Sequence, residues 1–159
     1  DVVLELAASG VVNGMTETTF EPQGTLTRAE FATMLYRVSY APVVTGESTY
    51  SDVKTGDWYV DAVKYVSDKG LMSGTGSDKF APSATTTRAM LMTVLARYAG
   101  EDTTGGATWY EKSMAWAKAK GVSDGTNPNA DITREQLVTM LYRYAGFLNH
   151  GRPSCFYLV

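Results

Sequence analysis

Three stretches place apolar residues at i, i+3, i+4 and i+7: Phe31, Met34, Leu35, Val38; Leu91, Val94, Leu95, Tyr98; and Leu137, Met140, Leu141, Tyr144. That spacing puts them on one face of a helix. A shorter version lies upstream of the first two, in Val2, Val3, Leu6 and in Ala62, Val63, Val66. Upstream stretches end at Gly10, Gly70 and Gly121, the residue type that suits a helix C-terminus. Thr27, Thr87 and Thr133 stand where an N-cap belongs. Glu30 and Gln136, three residues on, predict a capping box, and Met90 predicts its absence in the second case. The expected unit is helix, Gly-bounded loop, helix. Gly14, Gly74 and Gly125 mark turns within the loops. Ser39–Thr49 and Gly100–Thr108 read as linkers.

The pattern is an internal repeat. GVVNGMTETTFEPQGTLTRAEFATMLYRV from Gly10, GLMSGTGSDKFAPSATTTRAMLMTVLARY from Gly70 and GVSDGTNPNADITREQLVTMLYRY from Gly121 align. Eighteen residues separate Gly10 from Arg28 and Gly70 from Arg88, but thirteen separate Gly121 from Arg134. The third loop is therefore five residues shorter, and it lacks the Phe-x-Pro of Phe20/Pro22 and Phe80/Pro82. The upstream halves WYVDAVKYVSDKG and WYEKSMAWAKAKG start at Trp58 and Trp109, each twelve residues before its Gly. Counting back from Gly10 sets Asp1 opposite Asp61, so the first copy begins three residues after its Trp-Tyr position. The expected divisions are 1–45, 46–100 and 101–146, with 147–159 as a tail outside the copies. One hairpin buries too little apolar surface to stand alone. The fold class expected is all-α: three hairpins sharing a core around a pseudo-threefold axis, with an open solenoid as the alternative.

Composition narrows the function classes. Of 159 residues, 44% are hydrophobic and 19% charged, a globular balance. Fourteen Lys+Arg against seventeen Asp+Glu leave a net charge of -3, which argues against nucleic acid as a partner. No apolar run has the ~18–20 residues a bilayer requires, so membrane insertion is not expected. The chain opens at Asp1 with no initiating Met or signal peptide, and a mature or trimmed fragment is expected. A single cysteine, Cys155, gives no internal disulfide, and a single histidine, His150, leaves little for a triad or zinc site. No metal and no cofactor are expected.

The repeated Thr-Arg pairs carry the chemistry. Arg28, Arg88 and Arg134 fall at the first helical position, where a cation faces the positive end of the helix dipole at a cost of up to ~1 kcal/mol. One reading is an anion site built from guanidinium, first-turn N–H groups and dipole. The other is an ion pair to an acid of a neighbouring copy, such as Asp52, Asp61 or Glu111. Arg37, Arg97 and Arg143 read as helix-end cations packed on the core. Ten Tyr and three Trp, with Trp58-Tyr59 and Trp109-Tyr110 at matched positions, offer faces that suit sugar rings as well as cores.

The segments YSDV…WYVDAVKYVSDKGLMSGTG…FAPSATTTRA and FEPQGTLTRAEFATMLYRV strongly resemble S-layer homology (SLH) domains. The family pattern is an F-x-D start, a Trp-led helix, G-x-x-x-G, F-x-P and an I-T-R-A-E helix, and the resemblance covers Asp1 to about Gly146. It implies an all-helical pseudo-trimer whose inter-repeat grooves bind secondary cell-wall polymers, commonly pyruvylated polysaccharides linked to peptidoglycan. Such a module tethers a surface protein to the wall of a bacterium without a covalent bond. By the same resemblance Arg28, Arg88 and Arg134 are ligand residues, Asp52 matches the F-x-D acid, Trp58 and Trp109 match the aromatic position, and Gly14, Gly74 and Gly125 match the glycine beside the sugar. Thr103 stands where the third copy would carry that acid.

Three other readings compete. Asp124, Asn127, Asn129 and Asp131 could supply oxygens to calcium, but they lack EF-hand spacing and are ordinary turn residues. A helical scaffold for protein partners explains the repeats but not the N-terminal arginines. An enzyme is disfavoured because no two acids recur at matched positions: Glu30 becomes Met90 and Gln136.

Overall fold

A computed structural model describes residues 21–151, with side chains described as far as residue 144. The upstream stretch of the first copy, with Val2, Val3, Leu6, Gly10 and Gly14, lies outside the described residues, as does Cys155. The described residues form five helices: α1 Arg28–Val38, α2 Val60–Asp68, α3 Arg88–Tyr98, α4 Glu111–Ala119 and α5 Arg134–Gly151. The pairing between extended segments among them consists of isolated bridges, and the protein is predominantly helical. Helix α5 continues five residues past Gly146 into the expected tail, reaching Gly151.

Local chemistry sets the helix ends. Thr27 accepts the Glu30 N–H while Glu30 accepts the Thr27 N–H, a complete capping box. Thr133 and Gln136 exchange the same two bonds, each 3.3 Å. Thr87 caps Met90 N–H, and Met90 stands where the other copies carry the Glu or Gln of the capping box. At the other end, α2 and α4 close in the same way. Gly70 and Gly121 sit at φ 65° and 68°. Their N–H groups bond Ser67 O and Lys118 O, and the next residues bond Val66 O and Ala117 O. This is the Schellman arrangement, whose left-handed residue costs glycine no Cβ clash.

The chain forms two compact units, 26–86 and 1–25 with 87–159. In the first, α1 packs on α2, with the Tyr36 and Tyr65 rings 5.6 Å apart over a core of Phe31, Leu35, Val63, Val66, Leu71 and Phe80. In the second, α3 packs on α4, and Leu91, Met92, Leu95, Ala117, Val122, Ile132 and Leu137 are buried. Each packed pair joins the downstream helix of one copy to the upstream helix of the next. The sequence copy and the packed helix pair are thus different divisions of the chain.

Removing a cap tests the local account. Thr27→Ala should lower unfolding free energy by about 1 kcal/mol and Thr87→Ala by less, because the latter cap lacks its reciprocal bond. Chemical denaturation of the two variants measures the difference.

Candidate functional site

The first-turn amides explain how the arginines are placed. Arg28 N–H bonds Ala84 O at 2.8 Å and Ala29 N–H bonds Pro82 O at 3.0 Å. Arg88 N–H bonds Ala130 O and Ala89 N–H bonds Pro128 O, at 3.0 and 2.9 Å. Arg134 N–H bonds Gly24 O and Glu135 N–H bonds Pro22 O, at 2.9 and 3.0 Å. Every contact lies within one compact unit, and each joins the helix of one copy to the loop of another. Helix-start amides have no partner in their own helix; here the neighbouring loop supplies it. In each loop a type I-like turn presents the carbonyls. Glu21, Ala81 and Asn127, at φ 51°, 56° and 49°, precede Pro22, Pro82 and Pro128, and their carbonyls accept from Gly24, Ala84 and Ala130.

Pro128 is the residue that sequence reading passed over. The third copy lacks Phe-x-Pro, yet its Pro lies five residues before Thr133, as Pro22 precedes Thr27 and Pro82 precedes Thr87. That shared spacing was the available signal. The shortening of the third loop falls before the turn and leaves it intact.

The guanidinium groups follow their backbones into the loops. Arg28, Arg88 and Arg134 are only 5%, 9% and 7% exposed. Arg28 Nε donates to Phe80 O at 2.9 Å and Nη2 to Ser73 O at 2.6 Å, and the group lies 4.7 Å from the Phe80 ring centroid. Burial pulls its pKa below the ordinary arginine value, with Tyr50 and Asp52 acting in the opposite direction. Arg88 repeats the geometry on the third copy. Nε donates to Thr126 O at 3.0 Å, and Nη2 to Ser123 Oγ at 3.3 Å and Asp124 Oδ1 at 2.9 Å. Ser73 and Asp124 both sit three residues after their helix-ending Gly, so one position supplies a carbonyl in one copy and a carboxylate in the other. The acid that pairs with Arg88 is therefore Asp124, and not one of the three acids named from sequence. Arg134 runs against Gly24, where a Cβ would lie 3.6 Å from its Cδ.

Asp52 is brought to the same loop as Arg28. Its two oxygens accept Phe80 N–H at 2.9 Å and Ala81 N–H at 2.8 Å. Burial works against the carboxylate, but those N–H donors, helped by Lys79, leave its pKa below the usual value. Tyr50 packs its ring 5.4 Å from that of Phe80. Gly74 is fixed by close approach, since a Cβ there would come 2.6 Å from Lys79 O and 2.7 Å from the Tyr50 ring. Gly125 follows Asp124, with its N–H on Ser123 Oγ. Thr103, in place of the acid, is buried and accepts Arg97 Nε at 3.0 Å.

The indoles are placed differently. Trp58 and Trp109 are 66% and 54% exposed, and each meets the following tyrosine edge-on at 5.1 and 5.2 Å. In the second unit a cleft of about 230 Å³ is lined by Arg88, Ser123, Asp124, Glu135, Thr139 and Arg143 among others. Sequence reading had assigned Arg143 to core packing; the structure places it exposed, on this cleft. Asp124 is held by Thr126 N–H and Oγ1 as well as by Arg88, and these bonds, the Thr126 N–H first, lower its pKa. Asn127 is the left-handed residue of the turn and Asp131 forms a bridge with Thr87. Among the described residues no group of three His, Cys, Asp or Glu is arranged to hold a metal, and no helix is long and apolar enough to cross a membrane.

The chain is similar in sequence to known proteins. The family model for the S-layer homology domain matches residues 1–32 and 49–89. An amylopullulanase of Thermoanaerobacterium thermosulfurigenes is 37% identical over 97 residues, 61% of this chain and 5% of that protein. A surface layer protein of Brevibacillus choshinensis is 29% identical over 129 residues, covering 79% of this chain and 12% of its own length. The S-layer protein sap of Bacillus anthracis is 30% identical over 139 residues, 79% of this chain and 17% of that protein. The chain thus spans a small fraction of each relative, and its similarity to the amylopullulanase is confined to a correspondingly small part of that enzyme.

Two measurements follow from the loop geometry. Arg28→Ala strands Phe80 O and Ser73 O, so stability should fall by about 3 kcal/mol, and Arg28→Lys should recover under half because an ammonium cannot span both carbonyls. Asp52 has a folded pKa below its unfolded value of 3.8. Its stabilisation is therefore present above that value and is lost as pH falls through the folded pKa. Acid titration of unfolding free energy should show this loss in the parent protein and a smaller slope in Asp52→Asn.

Proposed function

Because this chain carries S-layer homology domains, we propose that it is a non-covalent anchoring module that holds a protein at the bacterial cell surface by binding an acidic secondary wall polysaccharide. The observation that carries the reading is the shared segment itself. The same kind of segment forms a small part of proteins named as surface-layer proteins and of proteins named as polysaccharide-degrading enzymes. A module common to such different proteins supplies something other than the chemistry in which they differ, and we read that as location.

The side chains support a saccharide ligand. Trp58 and Trp109 present exposed rings beside the start of α2 and α4, and such rings stack on the apolar faces of sugars. Arg28, Arg88 and Arg134 form the loops, and Arg88 also reaches the cleft: its Nε and Nη2 are held by protein, leaving Nη1 for an acidic sugar. Asp52, Gly74 and Gly125 shape the same loops. A pyruvate ketal would supply the carboxylate that a guanidinium recognises in two-pronged fashion. No single contact of this kind exceeds ~3 kcal/mol, so retention on a wall would come from several sites along one polymer.

Sedimentation with purified Gram-positive sacculi tests the reading. The protein should bind walls that retain the non-peptidoglycan polymer and lose most of that binding after acid extraction of the polymer. Equal binding to both walls would assign the ligand to peptidoglycan, and binding to neither would favour a scaffold for protein partners.

A further inference from the structure

Asp124 is the one aspartate in the chain that a glycine follows; every other Asp precedes a residue with a Cβ. An Asp-Gly pair is the main-chain sequence most open to cyclisation, because no Cβ stands beside the amide nitrogen that attacks the carboxyl carbon. Water reaches the position, since the Asp124 side chain is 65% exposed. What opposes the reaction is the way the carboxylate is held. Oδ1 accepts three donors: Arg88 Nη2 at 2.9 Å, Thr126 N–H at 2.9 Å and Thr126 Oγ1 at 2.8 Å. The Gly125 N–H is donated to Ser123 Oγ at 3.3 Å. Closing a ring from the Gly125 nitrogen to the Asp124 carboxyl carbon pulls both groups away from these partners. A carboxylate is also a poor electrophile, because its oxygen leaves only as water, and the Thr126 and Arg88 bonds favour the ionised form. Arg88 is the partner from outside the loop. It is 9% exposed, and its Nε is fixed on Thr126 O at 3.0 Å, so one guanidinium ties both Asp124 and Thr126 to α3.

Two other positions isolate what is particular here. Ser73 stands at the matching place in the second copy and has no carboxyl to cyclise. Asp102 accepts Thr104 N–H and Oγ1 in the same local pattern, but the β-branched Thr103 follows it. We propose that Asp124–Gly125 is a site of covalent self-modification, isomerising through a succinimide to isoaspartate, and that Arg88 is the positioning residue that keeps it closed. The protonated carboxyl and the Gly125 N–H condense: a C–N bond forms, the C–OH bond breaks, and the hydroxyl leaves as water with the amide proton. Water then opens the ring at one of its two carbonyls. One opening restores aspartate, and the other leaves a β-linkage of the same mass with no change of oxidation state. The β-linkage adds a methylene to the main chain and sets the carboxylate directly on Cα. The three contacts at Oδ1 cannot then all be remade, and the loop that seats Arg88 loosens.

Peptide mapping after prolonged incubation in neutral buffer decides it, using the full chain, the same chain in denaturant, and the variants Arg88→Ala, Arg88→Lys and Thr126→Val. Electron-transfer fragmentation of the tryptic peptide 121–134 locates the β-linkage, and unchanged mass separates it from deamidation at Asn127 or Asn129. The denatured chain should isomerise at Asp124 and more slowly at Asp102. The folded parent should isomerise at Asp124 at least about tenfold more slowly than the denatured chain, the rate ratio that ~1.4 kcal/mol produces. Arg88→Lys and Thr126→Val should fall between the two, and Arg88→Ala should approach the denatured rate while still melting cooperatively. If Arg88→Ala does not fold, the other two variants carry the comparison. No β-linkage at Asp124 in the denatured chain would remove the site. A folded parent as fast as the denatured chain, or folded Arg88 variants as slow as the parent, would remove the role of Arg88.

Discussion

Two backbone hydrogen bonds, from the first and second amides of a helix to the carbonyls of a Pro-led turn, recur at Arg28, Arg88 and Arg134. Most else in the described structure depends on them. Helix starts carry four N–H groups without partners in their own helix. At α1 and α5 the N-cap and third amides are satisfied by the capping box, and the remaining two by another copy's loop. The contact seats each arginine in its loop and so sets where the guanidinium goes.

The electrostatic oddity of a cation at the positive end of a helix is resolved by that seating. The Arg28 side chain leaves the helix axis and lies among carbonyl oxygens and the Phe80 ring. Arg88 reaches a carbonyl and the Asp124 carboxylate. Charge-assisted bonds of this kind outweigh a dipole penalty of a few tenths of a kcal/mol to ~1 kcal/mol. The arginines therefore have a structural part whatever their part in recognition, and a variant that removes one perturbs a loop as well as a contact.

Packing across copies has a structural consequence. The loop of each copy is completed by the helix of another: the second by α1, the third by α3 and the first by α5. Loops built this way need neighbouring copies and cannot be formed by an isolated hairpin. The copies have diverged at the positions that line the loops: Ser73 against Asp124, and Asp52 against Thr103. Their loops consequently present different surfaces.

How much could be read in advance follows from the range of each interaction. Helix spans, the Thr caps, the missing reciprocal bond at Met90 and the glycines after α2 and α4 were legible, because each depends on residues within about five positions of one another. The shared Pro-to-Thr spacing is equally local, and the absent Phe masks it at Pro128. The partner of Arg88 lies 36 residues away and that of Arg28 as many as 52. Several acids and carbonyls were compatible with the same arginine, and packing chose among them. The openness of α5 around Thr139 and Arg143 likewise had no sequence signature, since Thr recurs at that position in all three copies. Short-range hydrogen bonding let the sequence by itself determine a helical repeat and its joints. Burial depends on what a distant segment covers, so only the tertiary structure decided which arginines became part of the frame and which was left facing a cleft.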